Sequence, residues 1–428
     1  MTQEVKPASF LSGTVTVPPD KSISHRAALF AALSEQESQI ENYSDAADPQ
    51  STLSCLRQLG VSIEQDQQIV HIQGVGRDGF RSPGNPLDCG NSGTTMRLLG
   101  GIVAGAGISC QLTGDASLSA RTMRRIIDPL QQMGCEIRGR EETYAPLTIE
   151  PNSGVQAIHY PLPIASAQLK SAVLLAGLFG KEKTTVMERI QSRDHTERLL
   201  GLKLEEHSDG VLIQSSREDL LPAQNYRVPG DFSAAAFWLT AGAILPDSMI
   251  RLQHVGINPS RTAALTILKE MGADIRADVT SNEGREPVAD FEIRSSELRA
   301  VEPDPMLVPN CIDELPILMV AMCFAKGTSV ISGAEELRHK ETDRLAAMME
   351  ILRLAGASVE ARPDGLVIHG SRDFCPLPAE YPTWHDHRMA MSAAVLASAS
   401  DQPSLIRDAE CTAISYPGFW DHLTFLRR

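Results

Sequence analysis

Asp20-Lys21-Ser22-Ile23-Ser24-His25-Arg26 places two cations, two hydroxyls and an imidazole in one short stretch. It opens an Ala/Leu-rich run that reads as a helix. Basic residues in the first turn of a helix oppose its macrodipole and cost it stability. Their presence points to a task, which is to grip a small, phosphate-bearing anion against the free N–H groups of the helix start.

Similar clusters recur along the chain. Cys89-Gly90-Asn91-Ser92-Gly93-Thr94-Thr95-Met96-Arg97 has small residues that let a ligand approach the backbone, without the G-x-x-x-x-G-K spacing of a P-loop. Ser166-Ala167-Gln168-Leu169-Lys170 offers neutral donors at another helix start. Arg121 follows Gly114-Asp115 and precedes an amphipathic helix. Ser192-Arg193-Asp194-His195-Thr196-Glu197-Arg198 is a dense charge run, a pattern that is more often a solvated face. Then come Cys311-Ile312-Asp313-Glu314-Leu315-Pro316, Arg338-His339-Lys340-Glu341-Thr342-Asp343-Arg344 and Asp386-His387-Arg388. Arginine suits two-pronged recognition of carboxylate and phosphate. Two patterns mislead. Gly74-Val75-Gly76-Arg77-Asp78-Gly79 matches a dinucleotide fingerprint, but the proline-bearing Phe80 to Pro86 cannot open the required helix. His385 and His387 are spaced i,i+2, so they diverge on a helix, and no metal is expected.

The net charge of −15 argues against a general polyanion surface, so an acidic chain that binds anions must gather its cations in one place. Aromatics at 5% argue against stacking on single-stranded nucleic acid. The eight cysteines form no C-x-x-C pair and read as buried free thiols of a reducing compartment. Met1 to Pro7 lacks an apolar signal core, and the longest apolar stretch, Leu315 to Ala325, contains a proline and is too short to span a bilayer. A cytoplasmic enzyme without membrane attachment is the expectation.

The elements that must position these clusters repeat. Apolar helices begin near Ser24, Ser92, Ser166, Asp231, Ile312 and His385, each apolar almost all round and therefore buried. A second, amphipathic helix ends each time in an apolar-glycine pair before a strand: Leu59-Gly60, Met133-Gly134, Leu200-Gly201, Met271-Gly272 and Ala355-Gly356. Glycine there suits a left-handed C-cap. The sixth copy, Phe419 to Phe425, lacks its strand, which Gly13 to Val17 is expected to supply. Six β-α-β-α-β-like units of about 70 residues follow, grouped as two domains of three. The expected domains are 20–229, and 1–19 with 230–428, crossing at Pro18-Pro19-Asp20 and Val228-Pro229-Gly230-Asp231. If the buried helices of a domain run parallel, their positive ends converge, and two such faces meeting at a hinge form an anion-binding cleft.

Taken together, Asp20–Arg26, Gly90–Arg97, Ser166–Ser171, Ser192–Arg198, Val228–Phe232, Ile312–Pro316, Leu337–Arg344 and Asp386–Met391 resemble the 5-enolpyruvylshikimate-3-phosphate synthases, nearly end to end and in family order. The resemblance implies an α/β fold of two domains, each an inside-out α/β barrel of three β-α-β-α-β-β units with buried parallel helices. It implies transfer of the enolpyruvyl group of phosphoenolpyruvate to the 5-hydroxyl of shikimate 3-phosphate, with release of phosphate. By the same resemblance Lys21 touches both substrates. Ser22, Arg26, Ser166, Ala167, Gln168, Asp313 and Lys340 hold shikimate 3-phosphate, helped by Ser192 or Arg193. Arg121, Gln168, Arg344 and Arg388 clamp phosphoenolpyruvate near Asn91, Gly93 and Thr94.

The chemistry asks for two carboxylates in opposite protonation states. Asp313 is assigned as base at the hydroxyl, Glu341 as acid and base at C3 of phosphoenolpyruvate, and Lys21 as charge offset or proton shuttle. No metal or organic cofactor is implied, because arginine and lysine supply the electrostatic stabilisation. No nucleic-acid or membrane partner is implied, and a monomer is expected. Pro19 stands where many members have glycine, and Ile414 where some carry a lysine for phosphoenolpyruvate. Arg193 to Glu197, Ser166 to Lys170 and the missing lysine resemble a second class that is often less sensitive to glyphosate, whereas Gly93 matches members that admit this inhibitor. The alternatives are an enolpyruvyl transferase acting on UDP-N-acetylglucosamine, whose opening motif differs, and a paralogue that binds phosphate ligands without turnover.

Overall fold

A computed structural model describes residues 1–281 and 285–427. The chain divides into two compact units. One takes in Pro19–Val228; the other takes in Met1–Pro18 and the chain from Pro229 onward, except that Arg285 and Glu286 cluster with the first.

The unit built on Pro19–Val228 holds three helix pairs. They are α1 (Lys21–Leu33) with α2 (Ala47–Gln58), α3 (Gly93–Ala106) with a short turn α4 (Ala116–Ser119) and α5 (Arg124–Gln132), and α6 (Ala167–Gly177) with α7 (His195–Leu200). Each pair goes with a four-stranded sheet of one plan. In the second, Leu87–Asp88 runs parallel to Cys110–Thr113, which pairs antiparallel with Tyr144–Glu150, itself antiparallel to Glu136–Arg140. The first sheet borrows its parallel strand from the end of the unit, where Tyr226–Arg227 pairs with Glu37–Glu41. That pairing closes the unit on itself.

The other unit repeats the helix pairs, with α8 (Phe232–Ile244) and α9 (Ala263–Glu270), α10 (Leu315–Cys323) and α11 (Arg344–Leu354), and α12 (His387–Ser398) and α13 (Phe419–Leu426), on sheets of four, three and three strands among the described residues. Here one expectation is corrected. Ser12–Val15 does not complete the sixth repeat; it runs parallel to Met249–Gly256 in the fourth repeat's sheet. The sixth sheet is completed further upstream, where Gln3–Val5 pairs antiparallel with Ser404–Ile406. The two ends of the chain are still tied together, because a Cβ at Gly13 would lie 3.0 Å from the Phe425 ring and 3.1 Å from Leu426. Gly13 has φ +151°, a conformation that side chains resist, so the strand passes under α13 only as glycine.

Helices α1, α3, α6, α8, α10 and α12 are buried nearly throughout, and each unit has one apolar core around them. Two of the expected starts shift. The first helix begins at Lys21 rather than near Ser24, because Asp20 Oδ1 accepts the Ile23 N–H at 2.8 Å and caps it. The fifth begins at Leu315 rather than near Ile312. The five glycines ending the amphipathic helices, Gly60, Gly134, Gly201, Gly272 and Gly356, all have φ between +66° and +95°. Seven of the eight cysteines are buried thiols and Cys375 is exposed, so only Cys375 is open to reagents. No helix among the described residues is long and apolar enough to cross a membrane.

Helices α3 and α6 pack backbone to backbone at Gly101, where a Cβ would fall 2.4 Å from the Ala172 carbonyl oxygen. Alanine is the better helix former by about 1 kcal/mol. The clash is with backbone, which cannot give way as a side-chain tip does, so overpacking wins. Gly101→Ala is expected to destabilise the protein by about 2 kcal/mol in urea titration, against a gain if the helix preference decided.

Candidate functional site

Polar side chains collect at the heads of the buried helices, because those are the ends where backbone N–H groups lack partners. In the Pro19–Val228 unit, Lys21 is the first residue of α1, and its Nζ lies 2.8 Å from Asp48 Oδ2 in the first turn of α2. His25 Nδ1 meets Thr52 Oγ1 at 2.7 Å, Thr52 meets Thr95 Oγ1 at 2.7 Å, and Thr95 donates to Ser92 Oγ at 2.8 Å. This chain of hydroxyls ties the heads of α1, α2 and α3. Burial pushes the His25 pKa down to about 3, so the ring is neutral and serves the network rather than an anion.

Arg26 is buried. Its Nε donates to Thr196 Oγ1 at 2.8 Å, one terminal nitrogen to the Ser22 carbonyl at 3.1 Å, and the other to Ser171 Oγ at 3.1 Å. Burial lowers its pKa to about 10, against the pull of Glu197 and Asp20, and it stays charged at neutral pH. Ser166 caps α6, its Oγ accepting the Leu169 N–H, and Ala167 is that helix's first residue. Gln168 follows, receiving a hydrogen bond from Arg97 at 2.6 Å and donating to Thr94 Oγ1 at 2.9 Å. Arg121 donates to Asn91 Oδ1 at 2.8 Å. A Cβ at Gly93 would come within 2.6 Å of the Arg97 guanidinium and 3.7 Å of that of Arg121. Glycine is what lets two cations crowd the head of α3.

Ser192 donates through its hydroxyl and its backbone N–H to Glu188 Oε1. The other Glu188 oxygen and Glu197 Oε1 each lie 2.7 Å from the ammonium of the fully buried Lys170. Burial would lower the Lys170 pKa, but the two carboxylates raise it, so the lysine is a charged strut. Arg193 is half-buried on the same loop.

The other unit centres on Arg344, which is 1% exposed. Its Nε donates to Asp386 Oδ2 at 2.8 Å, and its two terminal nitrogens reach Asp313 Oδ1 at 3.2 Å and Glu341 Oε2 at 2.6 Å. Burial alone would lower the pKa of this guanidinium, but Asp386, Glu341 and Asp313 raise it. Asp386 also caps α12, accepting the Arg388 N–H at 2.8 Å. The one side-chain hydrogen bond of Arg388 among the described residues runs to the Asp313 carbonyl at 2.8 Å. Lys340 Nζ lies 3.7 Å from Asp313 Oδ1 and 3.4 Å from Glu336. Ile414 is packed against the apolar core and supplies no cation.

Each expected site residue thus stands at or beside a helix head in its own unit. Two of the expected arginines differ in how far their donors are already engaged. The donors of Arg344 are aimed at three carboxylates, whereas among the described residues Arg388 spends one donor on the Asp313 carbonyl and only approaches Asp313 Oδ2 and Glu314 Oε1, to 4.0 and 3.9 Å. Sequence reasoning missed Arg97, Asp48, Lys170, Glu188, Thr196, Arg261 and Glu314 as members of these networks. Arg97 was detectable, lying one turn beyond Gly93 on the same helix. Arg261 was not, since only the packed structure sets it beside Glu314.

The family model for EPSP synthase (3-phosphoshikimate 1-carboxyvinyltransferase) matches residues 5–423. The 3-phosphoshikimate 1-carboxyvinyltransferase of Salinibacter ruber is 48% identical over 99% of each chain, and that of Herpetosiphon aurantiacus is 45% identical over 99% of this chain and 98% of its own. A solved EPSP synthase from Acinetobacter baumannii, 37% identical, superposes with a TM-score of 0.89 over 100% of this chain and 98% of its own. The enolpyruvyl transferase NikO from Streptomyces tendae, 18% identical, shares the fold with a TM-score of 0.79 over 99% of this chain and 96% of its own.

Two outcomes follow from the geometry. His25 takes up a proton in the unfolded chain near pH 6.5 but in the folded one only near 3. Stability therefore falls as pH drops through that window. His25→Asn should flatten the slope by about 1.4 kcal/mol per pH unit in unfolding titrations between pH 7 and 4. Arg344→Gln leaves buried Asp386 without its cation, and is expected to cost about 3–5 kcal/mol at pH 7 by the same titration.

Proposed function

The chain belongs to the EPSP synthase family, and from that premise we propose that its helix-head residues bind and convert shikimate 3-phosphate and phosphoenolpyruvate. The reaction is enolpyruvyl transfer in chorismate and aromatic amino-acid biosynthesis. Lys21, Ser22, Ser166, Ala167, Gln168, Ser192, Arg193 and Lys340 hold shikimate 3-phosphate, with Arg26 stiffening the head of α1. Lys21, Asn91, Gly93, Thr94, Arg121, Gln168 and Arg388 hold phosphoenolpyruvate. Arg344 serves that ligand mainly by fixing the carboxylates beside it.

The observation that carries this reading is the position of Asp313 and Glu341 on the two terminal nitrogens of one buried guanidinium. Asp313 is 16% exposed and Glu341 25%, so both are anchored yet open to a reactant. Asp313 takes the proton of the 5-hydroxyl as its oxygen bonds to C2 of phosphoenolpyruvate. Glu341, in its acid form, gives a proton to C3, which becomes a methyl group. The C2–O bond to phosphate then breaks, phosphate leaves with the electron pair, and the methyl returns a proton to Glu341. Lysine and arginine offset the charge on carboxylate and phosphate throughout.

A monomer acting in the cytoplasm, with glyphosate as a competitor for the phosphoenolpyruvate position, completes the proposal. Phosphate release should require both substrates; release with UDP-N-acetylglucosamine in place of shikimate 3-phosphate would favour the other transferase, and tight binding without turnover a binding paralogue. Asp313→Asn and Glu341→Gln should each slow single turnover by about 10²–10⁴-fold with both substrates bound. Near-wild-type rates in both would overturn the division of labour.

A further inference from the structure

Five of the six buried helices are capped by the side chain before them: Asp20, Ser92, Ser166, Asp231 and Asp386 each accept a backbone N–H. Glu314 stands at the sixth position, ahead of α10, and caps nothing. Its carboxylate is fully buried and turned elsewhere. Oε1 accepts hydrogen bonds from Ser233 Oγ in the first turn of α8 and from Arg261 at 3.2 Å. Arg261 also donates to Ser233 Oγ and lies 3.5 Å from Asp231 Oδ1. Oε2 is buried and accepts no hydrogen bond from the described residues.

Arg388 approaches the same Oε1 to 3.9 Å and Asp313 Oδ2 to 4.0 Å. That is too far for a hydrogen bond and close enough for a strong attraction where water is excluded. A carboxylate meant only to neutralise Arg388 would be expected to close that gap. Instead the attraction restrains the guanidinium while spending none of its donors on Glu314, and the one bond from Arg388 to the Asp313 carbonyl sets its direction. The charges alternate outward from the core: Arg261, Glu314, Arg388, Asp313.

We propose that Glu314, backed by Arg261 and Ser233, is a positioning residue that aims Arg388 at an anionic end of phosphoenolpyruvate. This rests on the reading of Arg388 given above. Glu314→Gln keeps the size and the acceptor for Ser233 but removes the charge. Its KM for phosphoenolpyruvate in phosphate-release assays should rise about tenfold, with the KM for shikimate 3-phosphate changed less than about twofold. Ser233→Ala keeps the charge and loosens one tether, so the same KM should rise about threefold; this variant decides the matter if Glu314→Gln does not fold. Equal changes in both KM values, or a lowered melting temperature with both KM values intact, would overturn the proposal. If the wild-type chain releases no phosphate, the proposed reaction fails, and the inference is then read by calorimetry with phosphoenolpyruvate alone. Weaker binding by the variants sustains it; equal binding, or none by the wild type, overturns it.

Discussion

A helix that is apolar on every side can meet water only at its ends. Six such helices form the cores of the two units, and this one constraint sorts the rest of the chain. Charged and hydroxyl side chains have few other interior positions where backbone partners are available. At the N-terminal ends they find unpaired N–H groups and a local positive potential. The repeats multiply that environment, and an acidic protein thereby holds concentrated positive charge without a basic surface.

The concentration carries an electrostatic problem, and the structure answers it with carboxylates. Lys21 faces Asp48, Lys170 lies between Glu188 and Glu197, and Arg344 is ringed by Asp386, Asp313 and Glu341. Breaking a buried pair costs more than forming it gains, so these pairs fix geometry more than they add stability. The graded exposure matters for function. Arg344 and Lys170 are sealed and act as struts, while Arg388, Lys340, Asp313 and Glu341 keep a partly open face. Chemistry at the substrate is assigned to the open groups and their aim to the sealed ones.

Much of this was legible in the sequence. The apolar-glycine pairs announced the ends of the amphipathic helices, because a left-handed residue after a helix is a local demand that glycine meets. The clusters at Lys21, Ser92, Ser166 and Asp386 were visible because capping chemistry is also local. Less legible was anything decided by packing between distant segments. The strand Ser12–Val15 carries the same alternation wherever it docks, so its pairing with Met249–Gly256 could not be told from pairing in the sixth repeat. Glu314 read as one acid in a charged motif, and its bond to Arg261 exists only once the fourth and fifth repeats are packed together. That three carboxylates converge on Arg344 was not legible either, since nothing local to Arg344 reveals it.

The central claim is that Asp313 and Glu341, both held by Arg344, move protons at two different atoms in an addition followed by an elimination. Incorporation of solvent deuterium tests it most directly. With shikimate 3-phosphate and phosphoenolpyruvate in D2O, the account predicts phosphate release and a product carrying deuterium on the vinyl carbon, because C3 passes through a methyl group whose hydrogens include one from Glu341. Product formed with phosphate release but without deuterium on that carbon, or no product from the two substrates, would contradict it.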